Sequence, residues 1–398
     1  MTTHSSSSGS LEADTVRTDQ DSALGDSAAS PTTSLTPSIL DYRYEHGRRY
    51  HAYKDGSYHL PNDEVEADRL DLQHHLFRLT TDDLLYLAPL PTNIHNVLDV
   101  GCGTGIWSIE FADEHPNANV LGIDLSPIQP TEIPPNCSFL VDDAEDEWTW
   151  DTRFDFIHLR AMVAAIKNWP RLLGQSYEFL KPGGWIELQD LSVPPRCDDG
   201  SAPSDSAMLE ISSLFARAAG MVGLDMQAPS KFPQMLRDIG FEDIHTRRYK
   251  WPIGPWAKGS KEKLLGRWAL QDCFDGMQGG TMAFFTRVLK MKPEEVEARL
   301  AEARKEMKGQ KTHLYLPVFF TYARKPLTGS QTAQAGPVPE DSGDHAHSPD
   351  LTSSEFEMSE DHALKPGMQK RSESSPEQGH DQRQHEENLE AATERLES

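Results

Sequence analysis

The sequence predicts an α/β fold with a doubly wound, largely parallel sheet, and three observations support this prediction. Short apolar runs alternate with stretches of helical periodicity between residues 96 and 190, as in strand–helix–strand units. A glycine-rich turn, Gly101–Gly105, follows the first apolar run, and Asp124 ends the second. Open parallel sheets bind ligands at the edge where their strands end, so a ligand site is predicted there.

The order of elements follows from periodicity and capping. Val65, Leu72 and Leu76 share one helical face after the N-cap Asp63, so a helix is predicted before the sheet. Five strands are then predicted at 96–100, 119–124, 138–141, 154–160 and 184–190, with helices near 104–114, 161–169 and 170–180. A last helix at 232–239 with Gly240 as its C-cap precedes two final strands at 244–249 and 314–323.

Two inserts interrupt this pattern, at about 191–230 and 255–312. Each contains a helical stretch with an apolar face, at 208–221 and 264–274. Inserts at this edge of an open sheet build substrate pockets. We therefore expect helical inserts over the substrate side.

The spacing of the glycines selects between two ligands. A dinucleotide site requires Gly-x-Gly-x-x-Gly, but here the third glycine comes one residue early and Ile106 follows it. Asp99 stands two residues before the first glycine and would repel a pyrophosphate. A cationic ligand with a ribose and no phosphate fits better, and S-adenosylmethionine (SAM) is such a molecule. Asp99 would then face its methionine end.

Several segments resemble the motifs of class I SAM-dependent methyltransferases. Asp-Val-Gly-Cys-Gly-Thr-Gly at 99–105 resembles motif I, and the segments at 139–144, 154–160 and 180–188 resemble the third, fourth and fifth strands. The resemblance implies a Rossmann-like seven-stranded sheet with helices on both faces, and an antiparallel final strand pair. Further segments resemble the LaeA-like methyltransferases of filamentous fungi, at 47–53, 60–64, 68–71, 124–130 and 195–199. This implies a role near fungal secondary metabolism or development.

The resemblance also implies a set of cofactor-binding residues. Asp124, with Leu125, corresponds to the ribose-binding acid, and Asp143, with Ala144, to the adenine-binding acid, although the adjacent Asp142 is an alternative. The residues of the loop itself are Gly101, Cys102, Gly103 and Gly105.

Other side chains are candidates from their position alone. Tyr50 precedes the pocket in an aromatic cluster and would cap the ligand, or instead pack in the N-terminal arm. Arg69 would bind the cofactor carboxylate, or instead pair with Glu66 or Asp68.

Methyl transfer also needs a positioned acceptor and, for some acceptors, a general base. His158 and Arg160 are the catalytic candidates on the fourth strand, and Arg160 at the strand tip would also line the cofactor site. Strand alternation places both on one side, which faces either the cofactor or a covering helix. The carboxyl end of the fifth strand offers three further candidates, Glu187, Gln189 and Asp190.

Composition excludes several classes of protein. The 398 residues carry a net charge of −25, which disfavours direct nucleic-acid binding. Residues 1–40 hold five acids and one arginine, and residues 328–398 hold 16 acids and five basic side chains, so disordered tails are predicted at 1–41 and 328–398 around a domain at 42–327.

The four cysteines are widely spaced in the sequence and form no zinc motif, and no apolar run is long enough to span a membrane. No metal site is expected. An intracellular protein of the cytoplasm or nucleus is expected.

The leading hypothesis is a SAM-dependent methyltransferase acting on a small metabolite or a protein. The alternative is a SAM-binding regulatory partner with little turnover, acting in a complex with velvet-type proteins. An NAD-dependent reductase is disfavoured by Ile106 and Asp99.

Overall fold

The computed structural model describes residues 41–54 and 58–327; the predicted tails lie outside this range, apart from Asp41. The strands are β1 (Arg43–Glu45), β2 (Arg48–Tyr50), β3 (Asn96–Val100), β4 (Asn119–Asp124), β5 (Cys137–Val141), β6 (Phe154–Arg160), β7 (Leu180–Leu191), β8 (Glu242–Pro252) and β9 (Tyr315–Arg324). The α-helices are α1 (Glu64–Thr80), α2 (Ile106–Glu114), α3 (Trp169–Phe179), α4 (Ala207–Met221), α5 (Phe232–Ile239), α6 (Ser260–Ala283) and α7 (Pro293–Lys308).

Seven strands form one sheet in the order β5-β4-β3-β6-β7-β9-β8, and β1 and β2 form a separate hairpin. Strand β9 is antiparallel to both β7 and β8, while β3 to β7 pair in parallel. The Rossmann-like seven-stranded sheet is confirmed. The order reverses between β3 and β6, and the crevice at such a switch point is where doubly wound sheets bind ligands.

The helix predicted near 161–169 is wrong, because that segment is a loop and α3 begins only at Trp169. Ala161 has a φ of 55°, and the backbone N–H of Met162 donates to Asp190 (2.8 Å), which anchors the loop to β7. Asn168 caps α3, and Pro170 occupies its first turn, where the missing N–H costs nothing.

Both faces of the sheet are covered. On one face, Trp107 and Phe111 of α2 pack with Val97 of β3. On the other face, Leu172 and Leu173 of α3 lie in a cluster with Leu98 of β3, whose side chain alternates to that face. A third apolar cluster joins α1 with the inserted helices α4, α6 and α7. The inserted helices therefore pack with α1 around an apolar cluster of their own. In the described part of the chain, none of the helices has the length and apolar character needed to cross a membrane.

Candidate active site

The glycine loop joins β3 to α2 and approaches its neighbours too closely for side chains. Gly101 and Gly105 have φ values of 70° and 81°, in the left-handed region that favours glycine. A Cβ on Gly101 would lie 2.1 Å from Sδ of Met162, and one on Gly105 would lie 2.4 Å from Cζ of Phe139. Glycine at both positions therefore avoids backbone strain and a displacement of Met162 or Phe139.

A cavity of about 120 Å³ opens beside this loop, at the carboxyl ends of β3, β4, β5 and β6. Most of the residues predicted to bind the cofactor line it, which brings together residues from four separate strand ends. They are Gly101, Gly103, Asp124, Leu125, Asp143, Ala144 and Arg160.

Asp124 lies at the end of β4 with its carboxylate held by the backbone. One oxygen accepts from the N–H of Gly103 (2.9 Å) and the other from the N–H of Ser126 (2.9 Å). Burial raises the pKa of this carboxyl to about 6. A carboxylate oxygen has two lone-pair sites, so each oxygen retains capacity for a hydroxyl donor in the cavity.

Asp143 and its neighbour Asp142 follow β5 and both line the cavity. One oxygen of Asp143 lies 2.7 Å from the ammonium of Lys54, and the other accepts from the N–H of Glu145 (2.9 Å). Asp142 accepts from the N–H of Asp143 (2.8 Å), and burial raises its pKa. Both acids remain candidates for the adenine contact.

Cys102 and Gly105, two loop residues of the predicted cofactor-binding set, lie outside the cavity lining. Cys102 is buried beneath the loop, where its N–H donates to the carbonyl of Ile123 (3.0 Å), and burial raises the pKa of its thiol. Gly105 caps the N-terminus of α2 against Phe139. Cys102 and Gly105 therefore fix the conformation of the loop and do not line the cavity.

Asp99 and His158 also lie away from the cavity, which corrects two expectations. They are register partners on β3 and β6, so their side chains share the face that α2 covers. Asp99 is 2% exposed and accepts from the hydroxyl of Ser108 (2.6 Å), while its other oxygen lies 2.8 Å from Nδ1 of His158.

The ring of Trp107 stacks on that of His158 with 3.7 Å between centroids, and burial lowers the pKa of His158. A general base must reach the acceptor directly or through one water. His158 is fully buried beneath α2 and is therefore not placed to act as the base, and Asp99 is not placed to face the methionine end.

Arg160 borders the cavity at the end of β6, as predicted. Its Nη1 lies 2.9 Å from Nδ1 of His74, and its guanidinium lies 5.3 Å from the ring centroid of Phe77. Burial lowers its pKa to about 10. Contacts with α1 thus hold this cation at the cavity wall.

Tyr50 and Arg69 do not line the cofactor cavity. Tyr50 is buried in β2, with the guanidinium of Arg287 4.6 Å from its ring centroid. Arg69 donates to Glu66 (2.7 Å) and to Asp272 of α6 (2.7 Å). Tyr50 therefore packs in the N-terminal arm, and the alternative pairing of Arg69 with Glu66 is the one observed.

A second cavity, of about 220 Å³, adjoins the first. Its walls come from α1, α4, α6 and the carboxyl end of β7. Tyr58, Glu66, Leu70 and Ala161 line both cavities, so the two are contiguous at these residues. The sequence did not predict Tyr58 and Glu66 as cavity residues. Glu66 is also an ordinary first-turn acid of α1, and only the aromatic residues near 50–58 pointed toward Tyr58.

The three further candidates at the carboxyl end of β7 have different positions in the structure. Asp190 lines the larger cavity and accepts from the N–H groups of Met162 (2.8 Å) and Leu191 (2.8 Å), and burial raises its pKa to about 7. Glu187 is fully buried and accepts from Leu87 N–H (2.8 Å). Gln189 donates to the carbonyl of Leu85 (2.9 Å). Glu187 and Gln189 thus fasten the loop after α1 to the sheet.

Comparison with known proteins decides the family. Residues 72–246 match the family described as a methyltransferase domain. The secondary metabolism regulator LAE1 of Cochliobolus heterostrophus is 37% identical over 289 residues, which cover 71% of this chain and 94% of that protein. The chain is a LaeA-like class I methyltransferase. As such it belongs to the enzymes that use SAM as methyl donor.

Two further relatives of this LaeA-like methyltransferase come from Aspergillus and Emericella. Methyltransferase pytC of Aspergillus terreus is 40% identical over 298 residues, which cover 75% of this chain and 92% of pytC. The protein-methionine methyltransferase laeA of Emericella nidulans is 34% identical over 307 residues, which cover 76% of this chain and 82% of laeA. The matched regions thus cover between 82% and 94% of the length of these three relatives.

Proposed function

We propose that the smaller cavity binds SAM and that the methyl group is transferred to an acceptor in the adjoining larger cavity. The observation that carries this proposal is the shared lining, because Tyr58, Glu66, Leu70 and Ala161 border both cavities. A donor in one chamber and an acceptor in the other would meet at this junction. Positioning of this kind is the main contribution a protein makes to a displacement between bound reactants.

The residues of the smaller cavity fit the chemical groups of SAM. Gly101 and Gly103 present backbone without side chains, and Asp124 offers a carboxylate to the ribose hydroxyls. Asp143 or Asp142, with Ala144, would contact the adenine, and Arg160 closes the wall. When bound, SAM supplies an electrophilic methyl group on a sulfonium, so the chain itself has only to bind, orient and exclude water.

Calorimetric titration of the purified chain with SAM, and separately with NAD, tests this assignment. Binding of SAM and no binding of NAD would support it. A folded sample that binds NAD, or that binds neither ligand, would contradict it. Far-ultraviolet circular dichroism of the same sample establishes that the chain is folded.

The biological setting belongs to the same proposal. Relatives named as regulators of secondary metabolism favour a role in fungal secondary metabolism. These names also favour the second candidate, a SAM-binding regulatory partner with little turnover, for which the family resemblance suggests a velvet-type complex. A folded chain that fails to bind SAM but copurifies with a velvet-type protein would support this second candidate over the enzyme.

The affinity for SAM is expected to fall as the pH decreases below about 6. Burial raises the pKa of Asp124 to about 6, and only the ionised carboxylate accepts bonds on both oxygens. If the ionised form alone binds, affinity decreases up to about tenfold per pH unit below that pKa. Titrations at pH 7, 6 and 5 measure the slope, and Asp124→Asn is expected to bind weakly with a flat profile. A flat profile for the unaltered chain would contradict the ribose role.

Gly101→Ala is expected to weaken SAM binding at least about tenfold, which is about 1.4 kcal/mol. The new Cβ would displace Met162, whose sulfur lies 2.1 Å from its position and which lines the cavity. Gly47→Ala is the matched control, since Gly47 also has a positive φ but has nothing within 4 Å of the added Cβ. The left-handed backbone alone should cost each variant about 1–2 kcal/mol of stability, and the displacement of Met162 adds to the loss in Gly101→Ala. Equal SAM affinity in the two variants would show that the close approach at Gly101 is irrelevant to binding.

A further inference from the structure

The wall of the larger cavity is predominantly apolar. Met208, Ile211 and Phe215 of α4 face it with Met277 of α6 and Leu316 of β9. Methionine side chains adapt to irregular occupants because they are unbranched and polarisable. The wall therefore suits a molecule with an apolar body.

The polar side chains of this wall are already bonded within the protein. The hydroxyl of Ser212 donates to the carbonyl of Met208 (2.7 Å), and that of Thr281 to the carbonyl of Met277 (2.7 Å). Asp272, also in α6, accepts from Arg69 (2.7 Å). Asp190 also lines the wall, and each of its oxygens accepts one backbone N–H bond. These few bonded groups keep only some acceptor capacity, so a molecule with many polar groups would lose more hydration than the wall replaces.

The junction with the cofactor cavity is different. Tyr58 contributes a phenol there and Glu66 a carboxylate. Glu66 bonds Arg69 through one oxygen, and its second oxygen lies 3.9 Å from Arg48. This end can accept a hydrogen bond from a hydroxyl or an amine.

One glycine in the wall has no packing explanation. In α6, an added Cβ on Gly276 would lie 3.0 Å from Arg69, and one on Gly279 would lie 2.8 Å from Arg48, so close packing accounts for both. Gly280 lines the cavity, and an added Cβ would meet nothing within 4 Å. Glycine inside a helix is less stabilising than alanine, and at Gly280 the missing side chain leaves open space in the cavity wall.

We propose that the larger cavity binds a small methyl acceptor with an apolar body and one hydroxyl or amine group facing Tyr58 and Glu66, and that Gly280 keeps the space for its body. This inference rests on the proposed function. In the transfer, the acceptor heteroatom bonds to the methyl carbon while the carbon–sulfur bond breaks. The bonding pair stays on sulfur, and the acceptor's proton leaves to a carboxylate or to water.

The test is a substitution that fills the part of the larger cavity beside Gly280 with a side chain. Gly280→Phe places a ring in the cavity without left-handed strain, and Gly220→Phe is its matched control. Gly220 lies in α4, is exposed, lines neither cavity, and also has nothing within 4 Å of an added Cβ. The probes are naphthalene, 1-naphthol and 1-naphthylamine, titrated by fluorescence in the presence of S-adenosylhomocysteine, so that no turnover occurs. Each variant is also titrated with SAM alone.

We expect the unaltered chain and Gly220→Phe to bind 1-naphthol or 1-naphthylamine more tightly than naphthalene. Gly280→Phe should lose at least tenfold in probe affinity while retaining its SAM affinity. Unchanged probe binding in Gly280→Phe, or no binding of any probe by a chain that binds SAM, would overturn the acceptor class. If Gly280→Phe blocks a methionine- or lysine-containing peptide but none of the probes, the acceptor is a protein. Loss of SAM binding in all three chains would instead refute the proposed function.

Discussion

Replacing Asp124 with alanine is expected to reduce SAM affinity by more than about 100-fold. A hydrogen bond to a charged group contributes roughly 1.5–3 kcal/mol, and under the proposed function the two oxygens of Asp124 would accept from two ribose hydroxyls. Both oxygens lie at the cavity edge, fixed by the N–H groups of Gly103 and Ser126 at 2.9 Å. This substitution acts directly on the ligand, so the loss should appear in calorimetric titration with SAM.

The stability of Asp124→Ala separates a binding effect from misfolding. The two backbone N–H groups lose their acceptor, but they border an open cavity in which water can replace it. Urea denaturation should therefore show a smaller change than the loss of binding free energy. Unchanged SAM affinity, or a loss confined to turnover, would contradict the assignment of Asp124 to the ribose.

Replacing Asp99 with alanine should have the opposite signature, a large loss of stability with the ligand affinity retained. The substitution leaves the hydroxyl of Ser108 and the ring of His158 without their partner in a site that is 2% exposed or less. An unsatisfied buried polar group costs roughly 1–3 kcal/mol, and two groups are affected here. Urea denaturation measures the change in the free energy of unfolding.

Asp99→Ala and Asp124→Ala are expected to differ in both SAM affinity and stability. SAM titration of Asp99→Ala at low temperature, where the variant stays folded, should give an affinity within about threefold of the unaltered chain, since the Asp99 side chain lies beneath α2 and outside the cavity lining. A double variant with Ser108→Ala should lose less stability than the sum of the two single variants. A large loss of affinity with unchanged stability would return Asp99 to the ligand-facing role expected from the sequence.

The cofactor loop was predictable because its determinants are local. A positive φ favours glycine, and Gly101 and Gly105, with φ values of 70° and 81°, occupy this conformation at the spacing found in the sequence. Asp124 ends a short apolar run, so the length of that strand already places it at the carboxyl end of β4. By contrast, helical periodicity alone could not separate the loop at 161–168 from α3, because Asp190 anchors that loop from a distant strand.

The sequence by itself determined the fold class, the glycine loop and the acids at the ends of β4 and β5. Each depends on backbone conformation or periodicity over a few neighbouring residues. Only the tertiary structure decided which face of β3 and β6 is covered, and so placed Asp99 and His158 under α2. It also paired Arg69 with Asp272, 203 residues further along the chain. Alternation specifies that a strand has two faces, but packing determines what each face meets.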